Sequence, residues 1–451
     1  MSNEVFKFIN NISLKRVKDN RISIVAELGT SIYTVQPIVE KLIEKGFEID
    51  IYTCEDNLEK SKNYLGTESI SYFAIDRLVG KYIGIIDYAL KQLLTKNTFS
   101  SQYARIAPTE NKLLKLFYVF AKVLPKPNQK KINKIYSKFW KFFNGASKFR
   151  SNEVLLVTRV NNTSILNNKN IKVYTLMESW DHPIKSPFYI ESEVTYSWNK
   201  ELSTDIKDIQ NNSNEYKEIF PLKFRYLQQV KSLSNNPPKE IQNEIDFITN
   251  NNYVLYICTY SSYSRSDLFD NELKLISKIK EEVDRAGKHL YIKPHPHYSV
   301  NDFNSLPQSQ NLRIGIGATN NGANYIFTDD DQYYKIQLLK NAERVINVGT
   351  TLVLEASMLN TNVYQLLISE ENYGGFARAC GNYHIKKYLN NNEEVINLSE
   401  GNELEKIASI VNEPQGSNSY ASKLNDWLCQ ENINETINEI TQDICNEKVS
   451  H

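Results

Sequence analysis

The sequence lacks the features that mark several common classes of protein. Its five cysteines are scattered with no C-x-x-C pair, which argues against a disulfide framework or a zinc module. No apolar run approaches the roughly 20 residues of a membrane span. The N-terminus also lacks the basic-then-apolar order of a secretory signal. We therefore expect a cytoplasmic protein in a reducing compartment.

The charges show no excess of either sign. Lysine and arginine together number 53, as do aspartate and glutamate, so no overall field selects nucleic acid as a partner. The chain of 451 residues is long enough for two domains, each with its own hydrophobic core. These properties indicate an ordinary globular protein whose function depends on local sites.

Alternating strand and helix patterns predict an α/β protein. Near the start, an apolar strand over 22–26 precedes a helix over about 31–45 and a second strand over 47–53. The intervening loop lacks the G-x-G-x-x-G fingerprint of dinucleotide sites. Glu27 follows the first strand, where a catalytic base would lie; the alternative is a surface carboxylate.

Residues 111–150 differ from the rest of the chain. They contain eleven Lys or Arg, many aromatic residues and no Asp or Glu. Their pattern predicts two helices separated by a Pro-Lys-Pro turn. Such a pair can lie on an anionic membrane surface or hold an anionic acceptor. The alternative is a helical insertion with an aromatic core and solvated lysines; nucleic acid is not expected, because no other basic surface complements it.

Two further strands, 154–160 and 171–176, continue the first domain. The second strand is followed by a carboxylate, an indole and an imidazole, among them Asp181 and His182. Such a group just past a strand end is typical of a cleft lining. The Asn-Asn-Pro-Pro sequence at 235–238 has the composition of a linker between domains.

The second domain opens with a strand over 253–258 and a helix over 271–286. A strand at 290–292 then leads into Lys-Pro-His-Pro-His at 293–297, where two prolines hold an extended loop. Lys293 and His295 could there neutralise a phosphate. Two alternatives remain: metal binding by His295 and His297, for which no third ligand is near in sequence, or a structural turn.

The segment 343–366 has the pattern of a strand, a tight turn, a helix and a strand. Gly349 lets a ligand approach the backbone, and Thr350 and Thr351 stand at the expected helix N-cap with its free N–H groups. Glu355 shares a helix face with Thr351. The two threonine hydroxyls could bind the phosphate of a nucleotide, and the carboxylate of Glu355 could bind its ribose. The alternative is an ordinary capped helix with an exposed Glu355.

The Lys-Pro-His-Pro loop, followed some fifty residues later by Gly-Thr-Thr and a glutamate, resembles the GT-B transferases of bacterial surface polysaccharides. That group includes CDP-glycerol glycerophosphotransferases, polysialyltransferases and capsule Kdo transferases. The similarity covers about residues 150–400, and segments 179–181 and 221–226 also look like surface-carbohydrate proteins. It implies that His295, Thr350 and Thr351 hold the nucleotide phosphate and that Glu355 holds the ribose.

Two departures concern the substrate. The teichoic acid enzymes usually have a paired serine preceded by aspartate, whereas Val348 and Gly349 precede two threonines here. The acid-acid-Gly motif of polysialyltransferases is not evident near Glu27.

The resemblance implies the GT-B arrangement, two Rossmann-like α/β domains facing a cleft. We expect an acceptor-binding domain over 1–235 with the basic helical insertion at 111–150. A nucleotide-donor domain over 236–420 should follow, and a terminal helix over 421–451 should pack back on the first domain. Contact of the insertion with the inner face of the cell membrane is a further expectation.

The implied reaction is transfer of a sugar from a cytidine or uridine nucleotide sugar, such as CMP-Kdo or CMP-sialic acid, to a surface glycan or lipid-linked acceptor. The co-substrate would be of CMP, CDP or UDP type, with no other cofactor. No metal is expected, because a helix dipole, His295 and Lys293 offset the leaving-group charge. Glu27, Asp181 and then His182 are the candidate bases.

Three alternatives stay open. The first is a CDP-polyol phosphotransferase of teichoic-acid type on the same fold. The second is a non-catalytic component of polysaccharide assembly. The third is a manganese-dependent GT-A enzyme using the D-x-D pattern at 329–331, although such acidic triplets more often begin a helix, here 332–340.

Overall fold

The structure is a computed structural model. It describes residues 20–74, 149–157, 171–180, 192–210, 215–229, 237–259, 266–295, 298–307, 309–316, 326–379, 384–390, 394–398, 401–414 and 419–446. Asp181 and His182 lie outside these ranges, as does the predicted basic insertion apart from its last two residues.

Within the described ranges, the first sheet has seven strands, all parallel. They are β1 Arg21–Val25, β2 Glu48–Thr53, β3 Ile70–Ala74, β4 Glu153–Val157, β5 Lys172–Leu176, β6 Val194–Ser197 and β7 Glu215–Glu218. Their spatial order is β3-β2-β1-β4-β5-β6-β7. The order reverses between β1 and β4, and ligands of open parallel sheets bind outside the carboxyl ends at such a switch point.

The part of the second sheet that the structure describes has six parallel strands in the corresponding order. They are β8 Tyr253–Ile257, β9 His289–Lys293, β10 Leu312–Ile314, β11 Arg344–Asn347, β12 Val363–Leu367 and β13 Ile396–Asn397. The spatial order is β10-β9-β8-β11-β12-β13, so this sheet has its switch point between β8 and β11.

Helices connect and cover the two sheets. The first five are α1 Gly29–Glu44, α2 Leu58–Leu65, α3 Lys200–Gln210, α4 Lys239–Asn250 and α5 Ser266–Arg285. The others are α6 Asp329–Lys340, α7 Leu352–Met358, α8 Glu370–Tyr373, α9 Glu403–Asn412, α10 Ser419–Trp427 and α11 Ile433–Asn446. A 3₁₀ helix, Leu222–Leu227, lies in the segment that joins the two sheets. Among the helices of the described ranges, none combines the length and apolar character needed to cross a bilayer.

One hydrophobic core reaches from the first sheet into the second, since a single buried cluster includes both Ile24 and Leu255. The central strands are buried on both faces, as parallel sheets covered by helices require, whereas the edge strands β7, β10 and β13 are partly exposed. The end of the chain forms two helices, α10 and α11, rather than one. Helix α11 lies against the first sheet, where Asp443 accepts a 2.9 Å hydrogen bond from Tyr196 and pairs with Lys217 at 2.8 Å.

Candidate active site in the interdomain cleft

The carboxyl ends of the two sheets meet at Trp180 and Thr351. Trp180 follows β5 of the first sheet, and Thr351 follows β11 of the second. The indole N–H of Trp180 donates to the hydroxyl oxygen of Thr351 at 3.1 Å. Because all strands are parallel, the loops after β1, β8 and β9 emerge at the same edges. Most of the predicted site residues therefore lie along one cleft.

Thr351 is the N-cap of α7, as expected, but it does not cap the helix with its side chain. Its backbone is already helical, with φ −64° and ψ −25°, and no side-chain capping bond forms. The hydroxyl of Thr350 accepts only a long 3.4 Å bond from the Leu352 N–H. The ordinary capped helix that was the alternative for this turn is therefore not what the structure contains.

Gly349 is in close contact with a side chain. A Cβ at this position would lie 3.2 Å from Cδ1 of Ile385, closer than ordinary van der Waals contact. The glycine thus makes room for Ile385. The close approach of a ligand to the backbone of Gly349 stays a prediction.

Glu355 is buried, with 6% of its surface exposed, so the alternative of an exposed residue on the helix surface is wrong. Its Oε2 accepts a hydrogen bond from the hydroxyl of Tyr226, in the 3₁₀ helix between the sheets. The ammonium of Lys335, on α6, lies 2.8 Å from the same oxygen. Burial raises the pKa of Glu355 above its ordinary value.

Lysines from three elements lie close to one another here: Lys335 on α6, Lys223 in the 3₁₀ helix and Lys293 at the end of β9. Burial, with the nearby charges of Lys223 and Lys293, holds the pKa of Lys335 well below its usual value. Burial also lowers the pKa of Lys293 to about 8, and its ammonium donates to the carbonyl of Ile316 at 3.1 Å. Because the charges of Lys223 and Lys293 depress the pKa of Lys335, an anion would stabilise this group of cations, which suits a phosphate-bearing ligand.

His295 lies at the carboxyl end of β9. Its carbonyl accepts a 2.8 Å hydrogen bond from the N–H of Tyr298, and the two rings are 6.3 Å apart. In the sheet, β8 lies between β9 and β11, so His295 and the turn before α7 lie at the same edge. Two strand spacings, about 10 Å, separate β9 from β11. His297 lies outside the described residues, and within those residues no three His, Cys, Asp or Glu side chains are grouped for a metal.

Glu27 is the described member of the three candidate bases. It is 5% exposed and follows β1 beside the switch point of the first sheet, so it is not the surface carboxylate of the alternative. Its backbone carbonyl accepts a 3.0 Å hydrogen bond from the side chain of Asn57, which fixes the turn. Asp181 and His182 lie outside the described residues, directly after Trp180.

Glu178 is a buried carboxylate at the same edge that the sequence reasoning did not single out. It lies two residues past β5, and its Oε2 accepts a 2.7 Å hydrogen bond from the hydroxyl of Ser31 on α1. The sequence could have indicated Glu178 as a site residue, because it belongs to the same run after β5 that contains Asp181. Lys335 was missed as well, and no local pattern marks it. Tyr226 lies in the segment 221–226 that the resemblance singled out, but no role in the site was predicted for it.

The acidic triplet at 329–331 begins helix α6. The hydroxyl of Thr328 accepts from the Asp331 N–H at 3.2 Å, and the Asp331 carboxylate accepts from the Thr328 N–H at 2.9 Å. The two residues form a reciprocal capping box, in which Thr328 is the N-cap and Asp331 is the residue at N3. The helix-cap interpretation of this D-x-D sequence is therefore confirmed.

Glu272, on α5, forms a second buried polar group beside the end of β8. Its Oε1 accepts from the Thr259 N–H at 2.7 Å and from the Tyr256 hydroxyl at 3.1 Å. Within the described part of the chain, neither its Oε2 nor the hydroxyl of Thr259 has a hydrogen-bond partner. Burial outweighs these two hydrogen bonds and raises the pKa of Glu272 to about 8.

Comparison with solved structures identifies the class of fold, which is GT-B, and confirms that prediction. UGT89C1 of Arabidopsis thaliana is similar with a TM-score of 0.52 and 9% identity, over 94% of this chain and 99% of that chain. The same plant protein complexed with UDP-L-rhamnose gives a TM-score of 0.50 and 9% identity over 94% of this chain and 99% of that chain.

A putative UDP-N-acetylglucosamine 2-epimerase of Listeria monocytogenes is similar with a TM-score of 0.52 and 8% identity, covering 96% of this chain and 98% of that chain. Identities this low support the shared fold and nothing finer. No protein-family model matches the sequence, and no curated protein is significantly similar to it.

Proposed function

We propose that the protein is a metal-independent glycosyltransferase. It would bind a cytidine or uridine nucleotide sugar in the C-terminal domain and transfer the sugar to a bacterial surface glycan or lipid-linked acceptor. The observation that carries the proposal is the meeting of Thr351 with Trp180 across the cleft, together with the half-buried Lys223, Lys293 and Lys335, which suit an anion. The UDP-L-rhamnose complex of the plant neighbour supports a nucleotide sugar as the donor.

In this proposal the nucleotide phosphates lie between the α7 turn and the end of β9. Thr350 and Thr351 donate hydroxyl hydrogen bonds, and Lys293 and His295 supply positive charge as the nucleotide leaves. Glu355 is the acceptor for the ribose hydroxyls. The resemblance of these residues to the surface-polysaccharide transferases supports the choice of acceptor class.

The transfer step needs a base on the acceptor side of the cleft. The acceptor oxygen attacks the anomeric carbon, the bond from that carbon to the phosphate oxygen breaks, and the nucleotide leaves with the electron pair. The acceptor proton passes to a carboxylate, for which Glu27 is the first candidate and Asp181 the second. His182 is the third candidate base. The proposal also includes contact of residues 111–150 with the inner membrane surface.

The base is tested by changing each carboxylate to its amide. Glu27→Gln or Asp181→Asn should lower turnover by 100-fold or more while nucleotide affinity is kept, since general-base groups contribute about 10²–10⁴-fold. Glu44→Gln, at the exposed end of α1, is the matched control. Full turnover in both cleft variants would remove these bases from the mechanism.

The donor class is tested by thermal shift with CMP, CDP, UDP and GDP. A nucleotide at about 100 times its Kd stabilises the folded protein by about 2.7 kcal/mol, so a cytidine or uridine nucleotide should raise the Tm clearly. Thr350→Val should reduce that shift, because it removes one hydroxyl and keeps the side-chain volume. No shift with any of the four would contradict the proposal.

Product analysis separates the neighbouring functions. A glycosyltransferase forms a glycosidic bond to the acceptor, whereas the CDP-polyol phosphotransferase forms a phosphodiester and releases CMP. An epimerase, the activity named for the Listeria neighbour, changes the nucleotide sugar without any acceptor. A non-catalytic assembly component shows no turnover and no loss of function in His295→Ala.

A further inference from the structure

The hydrogen bond between Trp180 and Thr351 joins two residues 171 positions apart, on different domains. Thr351 is one of the side chains that the proposed function assigns to the donor phosphate. Trp180 itself has no assigned role. Its effect on the Thr351 hydroxyl follows from hydrogen-bond chemistry alone.

A threonine hydroxyl can accept and donate, but an indole N–H can only donate. Trp180 therefore binds the oxygen of Thr351 and leaves the hydroxyl proton pointing elsewhere. No acceptor within the described residues takes that proton. A hydroxyl that accepts one hydrogen bond is also a better donor of the next. The pair thus presents a polarised donor, which is what an acceptor-only phosphate oxygen requires.

The indole is held rigidly, so the orientation of Thr351 is fixed in advance. Trp180 is only 2% exposed and cannot itself contact a substrate over any large area. Its ring packs 5.2 Å from that of His384, 6.4 Å from Tyr388 and 6.3 Å from Trp427, measured between ring centres. His384 and Tyr388 lie between β12 and β13 of the second sheet, and Trp427 lies at the end of α10, so elements that follow β12 in the chain fix the indole.

We propose that Trp180 is a positioning residue for the donor phosphate, which it serves by orienting the Thr351 hydroxyl across the domain boundary. This inference rests on the proposed function. It adds that the acceptor-side strand β5 sets the strength of donor binding.

The first test compares two tryptophan variants by calorimetric titration of the full chain with UDP, CDP and CMP. Trp180→Phe keeps the ring and removes the N–H. Trp198→Phe is the matched control: Trp198 is 1% exposed and donates to the carbonyl of Met177 at 3.0 Å, within the first domain. Trp180→Phe should weaken the tightest nucleotide about tenfold, and Trp198→Phe less than twofold.

A double-mutant cycle shows whether Trp180 acts through Thr351. In the Thr351→Val background, Trp180→Phe should cause no further loss of affinity, whereas in the Thr351→Ser background the tenfold loss should remain. Equal effects of Trp180→Phe and Trp198→Phe, or additive losses with Thr351→Val, would overturn the inference. If wild-type protein binds none of the three nucleotides, the proposed function itself fails.

A second measurement keeps the inference testable if the tryptophan variants fold poorly. The chain has four tryptophans, so 5-fluorotryptophan labelling gives four ¹⁹F signals. The signal that Thr351→Val moves should be the one that the nucleotide moves in the wild type. A nucleotide that shifts only other signals would refute a role for Trp180.

Discussion

Replacing Glu272 with glutamine should make the protein more stable at neutral pH. Glu272 is completely buried on α5, and burial raises its pKa from 4.5 to about 8. Glutamine keeps the oxygen that accepts from Thr259 and Tyr256. The new amide nitrogen replaces an oxygen that has no partner among the described residues, so no recorded hydrogen bond is lost.

The magnitude follows from proton linkage. Above pH 4.5 the unfolded chain releases the proton of Glu272, while the folded protein keeps it until about pH 8. Folding therefore takes up a proton in this range, and the free energy of unfolding falls by about 1.36 kcal/mol for each pH unit that the pH rises. At pH 7, some 2.5 units above the unfolded value, the cost is about 3 kcal/mol, which the uncharged glutamine avoids.

Urea unfolding at pH 5, 6, 7 and 8 would measure this difference. The advantage of Glu272→Gln should be below about 1 kcal/mol at pH 5 and should grow through pH 8. Glu282→Gln is the matched control, because Glu282 is on the same helix, is 4% exposed and pairs with Arg285. It should gain no stability. Parallel curves for wild type and Glu272→Gln would refute the reasoning.

Three further predictions concern the cleft. Nucleotide affinity should fall about tenfold per unit above pH 8 as Lys293 loses its proton, and Lys293→Met, titrated calorimetrically, should lose that dependence. Gly349→Ala should destabilise the protein by about 1 kcal/mol in urea unfolding, and by less beside Ile385→Val, which removes the atom 3.2 Å away. EDTA should leave turnover unchanged, because Asp331 caps a helix; restoration by manganese would contradict this.

Much of the fold could be predicted from the sequence because most of the strands are buried on both faces. Strands of this kind appear as short apolar runs, and the predicted 345–348 and 363–366 correspond to β11 Arg344–Asn347 and β12 Val363–Leu367. Helix α4 was missed, since its polar sequence follows a stretch with the composition of a linker. The strand order depends on crossover connections, which local periodicity does not determine.

The site was only partly predictable for a similar reason. The position of Thr351 at the start of a helix is a local property, and the sequence predicted it. The indole that donates to its hydroxyl belongs to Trp180, which is 171 positions away in the sequence and cannot be found from a local pattern. Glu355 illustrates the same limit: its helix was predicted, but its burial against Tyr226 and Lys335 depends on how the two domains pack.

The contacts of Glu355 also bear on how a nucleotide would bind. The hydroxyl of Tyr226 donates to an oxygen of the carboxylate that is predicted to accept from ribose. Ribose would replace one hydroxyl donor with another, and such an exchange changes the free energy little, because a hydrogen bond is lost for each one gained. Glu355 would then select for ribose without adding much affinity. The affinity would come from the phosphate end, where Thr351 has a proton to donate and the lysines have charge to be neutralised. Because Tyr226 lies between the two sheets, each exchange at Glu355 would also release one of the contacts that hold the domains together.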